Sequence, residues 1–369
     1  MDISIFIPVY KESNQLPSIL HELRSQGVSK EIFVTVDEPT EKFSEKLMQL
    51  QDPEIKLVVN KERVGKANAL NNAAALSTGK VLLFLDADIQ ITSDSDFLRK
   101  IIMELQHSDI VDIKKRVSKD KSFLSRMAYY EYFTYNVSAW LSSKYMHKCP
   151  AVNGAAFAIK RETFQKIGGF HRVVDEDIDL ATRAFLQDSS FAYAEDVEVR
   201  NIVYGDWHRW LKQRERWSIS QASWTIDWYQ DLIKKFFRKP QVFLPSLFFL
   251  YPSVAAFLIS VAMPSFWMYN SMLVFSLFLS ARFNIMLPVF LVSLSTANLL
   301  KIVAISMSGF AFAAVTFYGF SRKLGFKEMK LHELFAYYFV YSNIWLALQV
   351  AGYFQVIAMR KKTGPDWKV

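Results

Sequence analysis

The stretch FLDADIQ, residues 84–90, places Asp86 and Asp88 one residue apart at the end of the apolar run KVLLF. Two carboxylates this close repel each other unless a cation lies between them. Mg²⁺ and Mn²⁺ commonly bind one or two protein carboxylates together with substrate phosphate oxygens. The pair therefore predicts a metal site for a phosphorylated substrate. A solvated turn that starts a loop is the simpler interpretation, and the spacing alone does not separate the two.

Lys66 and Asp37 are two further residues whose positions could serve such a substrate. Lys66 opens the predicted helix in RVGKANALNNA, where a lysine can reach a phosphate. Asp37 ends the predicted strand EIFVTV and could accept hydrogen bonds from a base or a ribose. On its own, each residue also fits an ordinary surface lysine or a turn aspartate. Together with the aspartate pair, they favour a functional site.

Two later segments carry charged residues at helical spacing. VVDEDIDLATRAF holds four acids in five positions, residues 175–179, which would also suit the solvated first turn of a helix. In WLKQRERWSIS, Gln213 and Arg216 are three residues apart and share one helix face. Arg216 could offer a fork of donors to a diphosphate, and Trp217 a flat face to a sugar. An amphipathic helix at a membrane surface would use the same residue types.

The first 120 residues alternate between strand and helix patterns. The strand patterns are ISIFIPVY, EIFVTVDE, IKLVVN and KVLLFLDAD, and the helical ones are LPSILHELRSQG, TEKFSEKLMQLQ and Lys66 to Leu76. Strands separated by single helices predict an α/β fold with a parallel, doubly wound sheet. Ligands bind beyond the carboxyl ends of the strands in such sheets, and Asp37, Asp86 and Asp88 stand at those ends.

The chain has 369 residues, of which 51% are hydrophobic, and its second half is strongly apolar. Arg282 and Lys301 are the only charged residues between Val242 and Ser321, which predicts membrane spans. Basic residues flank this half, so the net charge of +8 does not require a nucleic-acid partner, and none is expected. MDISIFIPVY lacks the features of a signal peptide, so we expect the front half to be cytosolic. The single cysteine, Cys149, agrees with a reducing compartment.

These patterns predict two domains: a cytosolic α/β domain, residues 1–235, with interfacial helices near its end, and a transmembrane domain, residues 236–369, with about four helices. The candidate spans are Val242–Met263, 267–281, 284–300, 302–320 and Leu334–Met359. Five crossings would put the basic segment RKKTGPDWKV on the side opposite the α/β domain. We therefore favour four, with one segment interfacial or re-entrant, in a multi-pass protein of the cell membrane.

The motifs IPVYKE, GKANALN, DAD, GGF followed by EDIDL, and QRERW occur in this order ahead of the apolar half. They resemble those of family 2 glycosyltransferases of the cellulose, chitin and hyaluronan synthase kind. The likeness covers residues 3 to about 240 by motif and the rest by layout. It implies a nucleotide-sugar-binding domain of the GT-A type, and sugar transfer from a nucleotide-sugar, most often a UDP-sugar, with Mg²⁺ or Mn²⁺.

The resemblance also implies roles for single residues. Asp88, with Asp86, would bind the metal that assists departure of the nucleoside diphosphate. Inverting transfer needs a base for the acceptor hydroxyl, and the family's position for it is Asp177, preceded by Glu176. Asn153 stands where processive synthases often carry a cysteine, so the acceptor contacts depart from the family pattern. The residues that would bind the donor or the acceptor are Pro8, Glu12, Asp37, Lys66, Asp86, Asn153, Gly154, Gln213, Arg216 and Trp217.

The expected partners are a nucleotide-sugar donor, the lipid bilayer and a membrane-associated acceptor. The QxxRW signature favours a growing polysaccharide, whereas the small number of spans also suits a lipid acceptor such as a polyprenyl phosphate or a glycolipid, as in ceramide glucosyltransferase. A phosphohydrolase could use Asp86 as a nucleophile, but Gln90 stands where that pattern has Thr or Val. A transporter or a membrane scaffold would explain the spans and leave the acids unexplained.

Overall fold

The computed structural model describes residues 1–48, 52–118, 122–203, 205–238, 265–284 and 294–359. The strands in these residues are β1 (Ile3–Tyr10), β2 (Lys30–Asp37), β3 (Ile55–Asn60), β4 (Val81–Leu85), β5 (Ile89–Ile91), β6 (Ile110–Val117), β7 (Ala156–Lys160) and β8 (Phe191–Asn201). The helices among the strands are α1 (Leu16–Arg24), α2 (Glu41–Met48), α3 (Lys66–Leu76), α4 (Phe97–His107), α5 (Phe123–Leu141), α6 (Arg161–Lys166) and α7 (Glu176–Leu186). The helices that follow are α8 (Trp207–Arg238), α9 (Ser265–Phe283), α10 (Leu294–Lys323), α11 (Leu331–Ala336) and α12 (Ser342–Ile357).

The first four predicted strands and the helix α3 are confirmed. The strand predicted over KVLLFLDAD is shorter than expected, because β4 ends at Leu85. The chain leaves the strand at Asp86, whose N–H donates to the carbonyl of Ala155 at 2.9 Å. This early end places both aspartates on the connection between β4 and β5 rather than within a strand.

The sheet has the order β3-β2-β1-β4-β7-β6-β8-β5 in the described residues. β3, β2, β1 and β4 are parallel, as predicted, but the sheet as a whole is mixed because β7 runs antiparallel to both β4 and β6. The prediction of a fully parallel sheet is therefore wrong. α5 and the loop after it return the chain to the carboxyl edge of β4, so β7 starts there and runs back. The residues just before β7 consequently lie at the edge where ligands bind.

The core lies on both faces of the sheet, as expected for strands that carry helices on either side. β2 is buried along its whole length, and α1 covers one face with Leu16, Ile19, Leu20 and Leu23, which recur at helical spacing. On the other face, the rings of Phe6 and Phe84 stack with centroids 5.0 Å apart. Burying one such side chain contributes about 1.5–3 kcal/mol. This packing fixes the strand ends that carry the predicted site.

Contacts divide the chain, as far as it is described, into the units Met1–Phe243 with Phe339–Val369, and Leu244–Tyr338. In the first unit α12 packs along α8, where Gln349 Nε2 donates to Gln221 Oε1 at 2.8 Å. In the second unit α9 packs on α10, and the ring of Phe310 meets that of Phe335 edge to face. The division into residues 1–235 and 236–369 remains a prediction.

Two stretches of the described helices, Asn298–Lys323 and Leu331–Ile357, are long and apolar enough to cross a membrane, which is weak support for a transmembrane domain. The predicted separation of 284–300 from 302–320 is wrong, because α10 continues through Lys301. A single lysine does not end a helix, since it has good helix propensity. The candidate span Val242–Met263 lies outside the described residues.

Candidate active site

Asp37 ends β2 beside the carboxyl ends of β1 and β3, and its carboxylate is buried. It accepts hydrogen bonds of 2.9 Å from Asn60 Nδ2 and from the backbone N–H of Gly65. Gly65 has a φ of 84°, a left-handed value that glycine adopts easily, and it directly precedes α3. Asp37 therefore fixes the turn that starts α3 and so positions Lys66. Its predicted contact with a base or ribose stays a prediction.

Lys66 joins two motifs that are far apart in the sequence. Its Nζ atom lies 2.9 Å from Asp86 Oδ1 and 2.8 Å from Glu176 Oε1. Burial lowers the pKa of Lys66, but the charges of Asp86, Glu176 and Asp177 outweigh it and hold the pKa well above its usual value. The side chain remains 37% exposed. A fixed positive charge that an anionic ligand can reach is thus present beside the aspartate pair.

A small cavity brings five of the predicted residues together. Its lining consists of Pro8, Lys66, Asp86, Gly154 and Glu176 with the apolar residues Leu70, Phe84, Leu85, Phe157 and Phe170. The other predicted residues, all of which the structure describes, lie outside that lining. Glu12 is exposed near the end of β1, where its Oε2 atom accepts from Thr40 Oγ1 at 3.3 Å. The cavity combines an apolar wall with a few converging charges, as ligand sites usually do.

Asp86 and Asp88 are the pair that could hold a divalent cation. Partial desolvation of the carboxylate, followed by the charge of Asp86, raises the pKa of Asp88 to about 6, while the residue as a whole remains exposed to solvent. The positive charge of Lys66 opposes this rise and does not cancel it. Within the described residues, no three His, Cys, Asp or Glu side chains form a group that could bind a metal. Two carboxylates at this position are the ligands of a cation that also takes oxygens from its substrate, as Mg²⁺ does.

Asp177 lies in the first turn of α7 and is held by backbone donors. The N–H of Gly154 donates to its Oδ2 atom at 2.5 Å, and the N–H of Ile178 donates to Oδ1 at 2.9 Å. Burial and the charge of Glu176 raise the pKa of Asp177 to about 6, against the opposing charge of Lys66 and these two hydrogen bonds. A carboxylate with a pKa in this range can both accept and release a proton near neutral pH.

Asp112 binds the backbone of the loop before β7. This buried carboxylate accepts a hydrogen bond from the backbone N–H of Asn153, and burial raises its pKa. The Asn153 side chain turns back on its own loop, because its Oδ1 atom accepts from the N–H of Ala155 at 3.1 Å. Asp112 was not predicted from the sequence, since nothing in IVDIKKRV distinguishes it from a surface acid.

Asp175 is a second residue whose role was not predicted from the sequence. Burial raises its pKa to about 7, the charge of Asp177 adds to the rise, and a hydrogen bond with Ser220 and the charge of Arg216 oppose it. Ser220 and Arg216 both belong to α8, so Asp175 is the point where the acidic start of α7 meets the QRERW segment. The only signal in the sequence is that Asp175 precedes the predicted Glu-Asp pair.

Further along, hydrogen bonds from two half-buried tryptophans of α8 join it to α7. Asp179 accepts from Arg183 Nε at 2.9 Å and from Trp228 Nε1 at 3.2 Å, and Trp224 Nε1 donates to Thr182 Oγ1 at 3.0 Å. Arg183 also donates to the carbonyl of Gly169 at 2.7 Å, which anchors the glycine turn before α7. These contacts fix α8 against α7.

The three predicted residues of QRERW do not share one environment. Gln213 and Arg216 are half-buried on α8. Trp217 carries the guanidinium of Arg214 over its ring, 4.3 Å from the centroid, so one face of the indole is already covered. Arg214 is almost fully buried and forms two hydrogen bonds of 2.6 Å with Glu131 of α5. This pair was not predicted from the sequence, although Glu131 is an isolated acid within the aromatic run YYEYFTY.

Comparison with known proteins identifies a family profile and several relatives that are similar to this chain. The profile of Glycosyl transferase family 2 matches residues 4–168. Probable glucomannan 4-beta-mannosyltransferase 3 of Arabidopsis thaliana is 28% identical over 239 residues, which are 60% of this chain and 43% of that protein. Probable glycosyltransferase YdaM of Bacillus subtilis (strain 168) is 22% identical over 372 residues, 97% of this chain and 83% of that one.

A solved structure is similar over most of the chain. The mannosyltransferase from Pyrobaculum calidifontis, in complex with GDP-Man and Mn²⁺, superposes with a TM-score of 0.50 at 19% identity, over 83% of this chain and 86% of that one. At this identity the likeness speaks for the fold alone, and it confirms a GT-A-like α/β fold. The chain spans less than half the length of the Arabidopsis relative. Together, the family match and the relatives confirm the predicted class of enzyme, a glycosyltransferase, and the likeness to family 2 lies in residues 4–168.

Proposed function

We propose that this protein transfers a sugar, with inversion, from a nucleoside-diphosphate sugar to a membrane-associated acceptor. The observation that carries the proposal is the double ion pair of Lys66, which ties Asp86 of the DAD motif to Glu176 of the EDIDL motif. One cation thereby links a group suited to the donor diphosphate with the acids suited to the acceptor. The family match over residues 4–168 supports the same chemistry.

The donor would bind along the carboxyl ends of β1, β2 and β4. Pro8, Glu12 and Asp37 would contact the nucleoside, while Lys66 and Arg216 would offer charge-assisted contacts to the diphosphate. Asp86 and Asp88 would hold Mg²⁺ or Mn²⁺, which supplies Lewis-acid assistance to the departing nucleoside diphosphate when bound. The family resemblance favours a UDP-sugar, whereas the relatives named above are mannosyltransferases in two cases, so both UDP and GDP donors enter the test.

Asp177 would accept the proton of the acceptor hydroxyl that attacks the sugar. Its Oδ2 atom is held by Gly154 and its pKa is raised to about 6, so that it is ionised at neutral pH and still basic enough to act. Glu176 would act mainly on Lys66, to which its carboxylate is bound. Asn153 and Gly154 would border the acceptor, and Gln213 and Trp217 of α8 would also contact it.

We infer that the acceptor is a growing polysaccharide, which the QRERW segment and the glucomannan mannosyltransferase relatives support. A single addition to a lipid, such as a polyprenyl phosphate or a glycolipid, is the second candidate. It is favoured by the small number of spans that the sequence predicts, about four, which offers little material for a polymer channel.

The test is transfer by the purified full chain in lipid nanodiscs with Mn²⁺ and a panel of UDP-glucose, UDP-N-acetylglucosamine and GDP-mannose. We expect release of nucleoside diphosphate with one donor, and a product of inverted anomeric configuration by NMR. Asp177→Asn should lose about 100- to 10,000-fold in rate, whereas Asp227→Asn, an exposed acid on α8, should not.

The product separates the two acceptors, because a polymer stays at the origin of a thin-layer plate and a glycolipid migrates. The proposal fails if no donor in the panel turns over in protein that remains folded, or if Asp177→Asn retains full activity.

A further inference from the structure

Glu131 and Arg214 form a buried ion pair next to the candidate active site. Glu131 is 2% exposed and Arg214 is 1% exposed. Both terminal nitrogens of Arg214 donate to the Glu131 carboxylate at 2.6 Å, one to each oxygen. The hydroxyls of Tyr135 and Tyr341 add hydrogen bonds of 2.8 and 2.7 Å to the same carboxylate. Four donors therefore satisfy the charge of Glu131 completely within the protein.

Aromatic rings surround the guanidinium of Arg214. Its carbon lies 4.3 Å from the ring centroid of Trp217, 5.1 Å from that of Trp345 and 5.5 Å from that of Trp210. Trp210 Nε1 donates to the Tyr341 hydroxyl at 3.3 Å, which closes the cluster. The cluster thus joins α5, α8 and the segment that opens α12.

The cluster sets the rotation of α8 about its own axis. Trp210, Arg214 and Trp217 follow one another at i, i+4 and i+7, so they occupy one stripe of the helix. Gln213, Arg216 and Ser220 form a neighbouring stripe at i, i+3 and i+7, and Arg216 and Ser220 both act on Asp175. Fixing the first stripe against Glu131 therefore fixes the direction in which Arg216 points.

A buried ion pair contributes little to net stability, because desolvation of the charges offsets their attraction, but its two parallel hydrogen bonds define an orientation. We propose that Arg214, clamped by Glu131 and Tyr341, is a positioning residue that orients Arg216 toward the diphosphate of the donor. The inference rests on the proposed function. Through Tyr341, the start of α12 would then also help to position the donor site.

The experiment is isothermal titration of the full chain with UDP and, separately, GDP in Mn²⁺. Arg216→Ala should weaken binding of the nucleotide that the wild type prefers by about 10- to 150-fold, as expected for a hydrogen bond to a charged group. Arg214→Lys should weaken it by about tenfold, because a lysine cannot make the two parallel bonds. The double variant should bind within about twofold of Arg216→Ala alone, since Arg214 acts only through Arg216.

Arg161→Lys is the matched control, because Arg161 also makes several hydrogen bonds, to Gly79, Ala74 and Ser77, at the opposite edge of the sheet. It should lower the melting temperature without changing nucleotide affinity. Tyr341→Phe removes one hydroxyl from the cluster and is a milder variant in case Arg214→Lys does not fold; it should weaken binding in the same direction.

The outcomes distinguish this inference from the proposed function. A wild type that binds neither nucleotide overturns both. Wild-type binding that Arg214→Lys or Tyr341→Phe leaves unchanged overturns the positioning role alone, and so does a double variant in which the two losses simply add.

Discussion

The backbone N–H of Gly154 donates a hydrogen bond of 2.5 Å to the Oδ2 atom of Asp177. A Cβ atom on residue 154 would lie 2.5 Å from that oxygen and 2.9 Å from the Cγ atom of Asp177. Asp177 is also bound to the N–H of Ile178 and cannot move aside without losing that contact. The absence of a side chain at residue 154 is therefore what allows the loop before β7 to approach the predicted base.

Gly154→Ala should consequently reduce turnover far more than it reduces stability. Displacing Asp177 removes a hydrogen bond to a charged group, which corresponds to about 1.5–3 kcal/mol, or roughly 10- to 150-fold in rate. Gly27→Ala is the control, because no described atom lies within 4 Å of its Cβ position. Steady-state kinetics with the active donor decide the point, and equal activity of the two variants would contradict the close approach at Gly154.

The pH dependence of activity should report the environment of Asp177. Because its pKa is raised to about 6 and the carboxylate form accepts the proton, kcat/KM should rise with pH through about 6 and level off above it. The rise has identified causes: burial first, then the charge of Glu176, opposed by Lys66. Removing a neighbouring charge should therefore move the acidic limb in a direction that depends on its sign.

Two variants should move the midpoint of the acidic limb in opposite directions. Glu176→Gln removes a negative charge and should move the midpoint of the acidic limb to lower pH, whereas Lys66→Met removes a positive charge and should move it to higher pH. The position of the limb, not its height, is compared, since Lys66→Met also weakens donor binding. The measurement uses saturating Mn²⁺, because a cation bound at Asp88 would keep that carboxylate ionised. Shifts of the same sign in both variants would show that Asp177 does not control the limb.

Chelation should abolish transfer, and Mn²⁺ or Mg²⁺ should restore it. A cation held by the two carboxylates of Asp86 and Asp88 would take further ligands from the donor diphosphate, as Mg²⁺ commonly does. Asp88→Asn should lose activity and the Mn²⁺ dependence of nucleotide affinity while keeping the wild-type circular dichroism spectrum. Full activity in excess chelator would show that transfer does not depend on a metal ion at Asp86 and Asp88.

The elements that could be predicted from the sequence are those that a short segment specifies by itself. β1, β2, β3 and α3 each coincide with one apolar or helical pattern in the sequence. The reversal of β7 could not be predicted, because AFAIK has the same pattern in either direction. Its direction depends on where the loop before it returns to the sheet, which is a property of the whole fold.

The candidate site also contains some residues that could be predicted from the sequence and others that could not. Lys66, Asp86 and Glu176 were chosen for their motifs, and the structure brings them into one ion-pair cluster. The partners of Arg214 could not be predicted, because Glu131 lies 83 residues earlier and Tyr341 lies 127 residues later in the chain. Local periodicity places a residue on a face of its helix, but it does not identify the distant residue that meets that face.

A last prediction concerns the contact between α8 and α12. A Cβ atom on Gly352 would lie 2.7 Å from the backbone carbonyl carbon and oxygen of Ser218, and a helix backbone cannot yield locally as a flexible side chain can. Gly352→Ala should therefore separate the two helices and reduce the free energy of unfolding by about 1–3 kcal/mol, the usual effect of overpacking. Thermal unfolding in detergent would show this as a lower melting temperature.

The matched control is Gly319→Ala on α10, where no described atom outside the local helix backbone lies within 4 Å of the Cβ position. Alanine has a higher helix propensity than glycine by about 1 kcal/mol, so this variant should be neutral or slightly more stable. The same gain applies to Gly352→Ala, and a loss of stability there must come from the contact with Ser218. If both variants are stabilised alike, then α12 does not approach α8 as closely as the geometry at Gly352 requires.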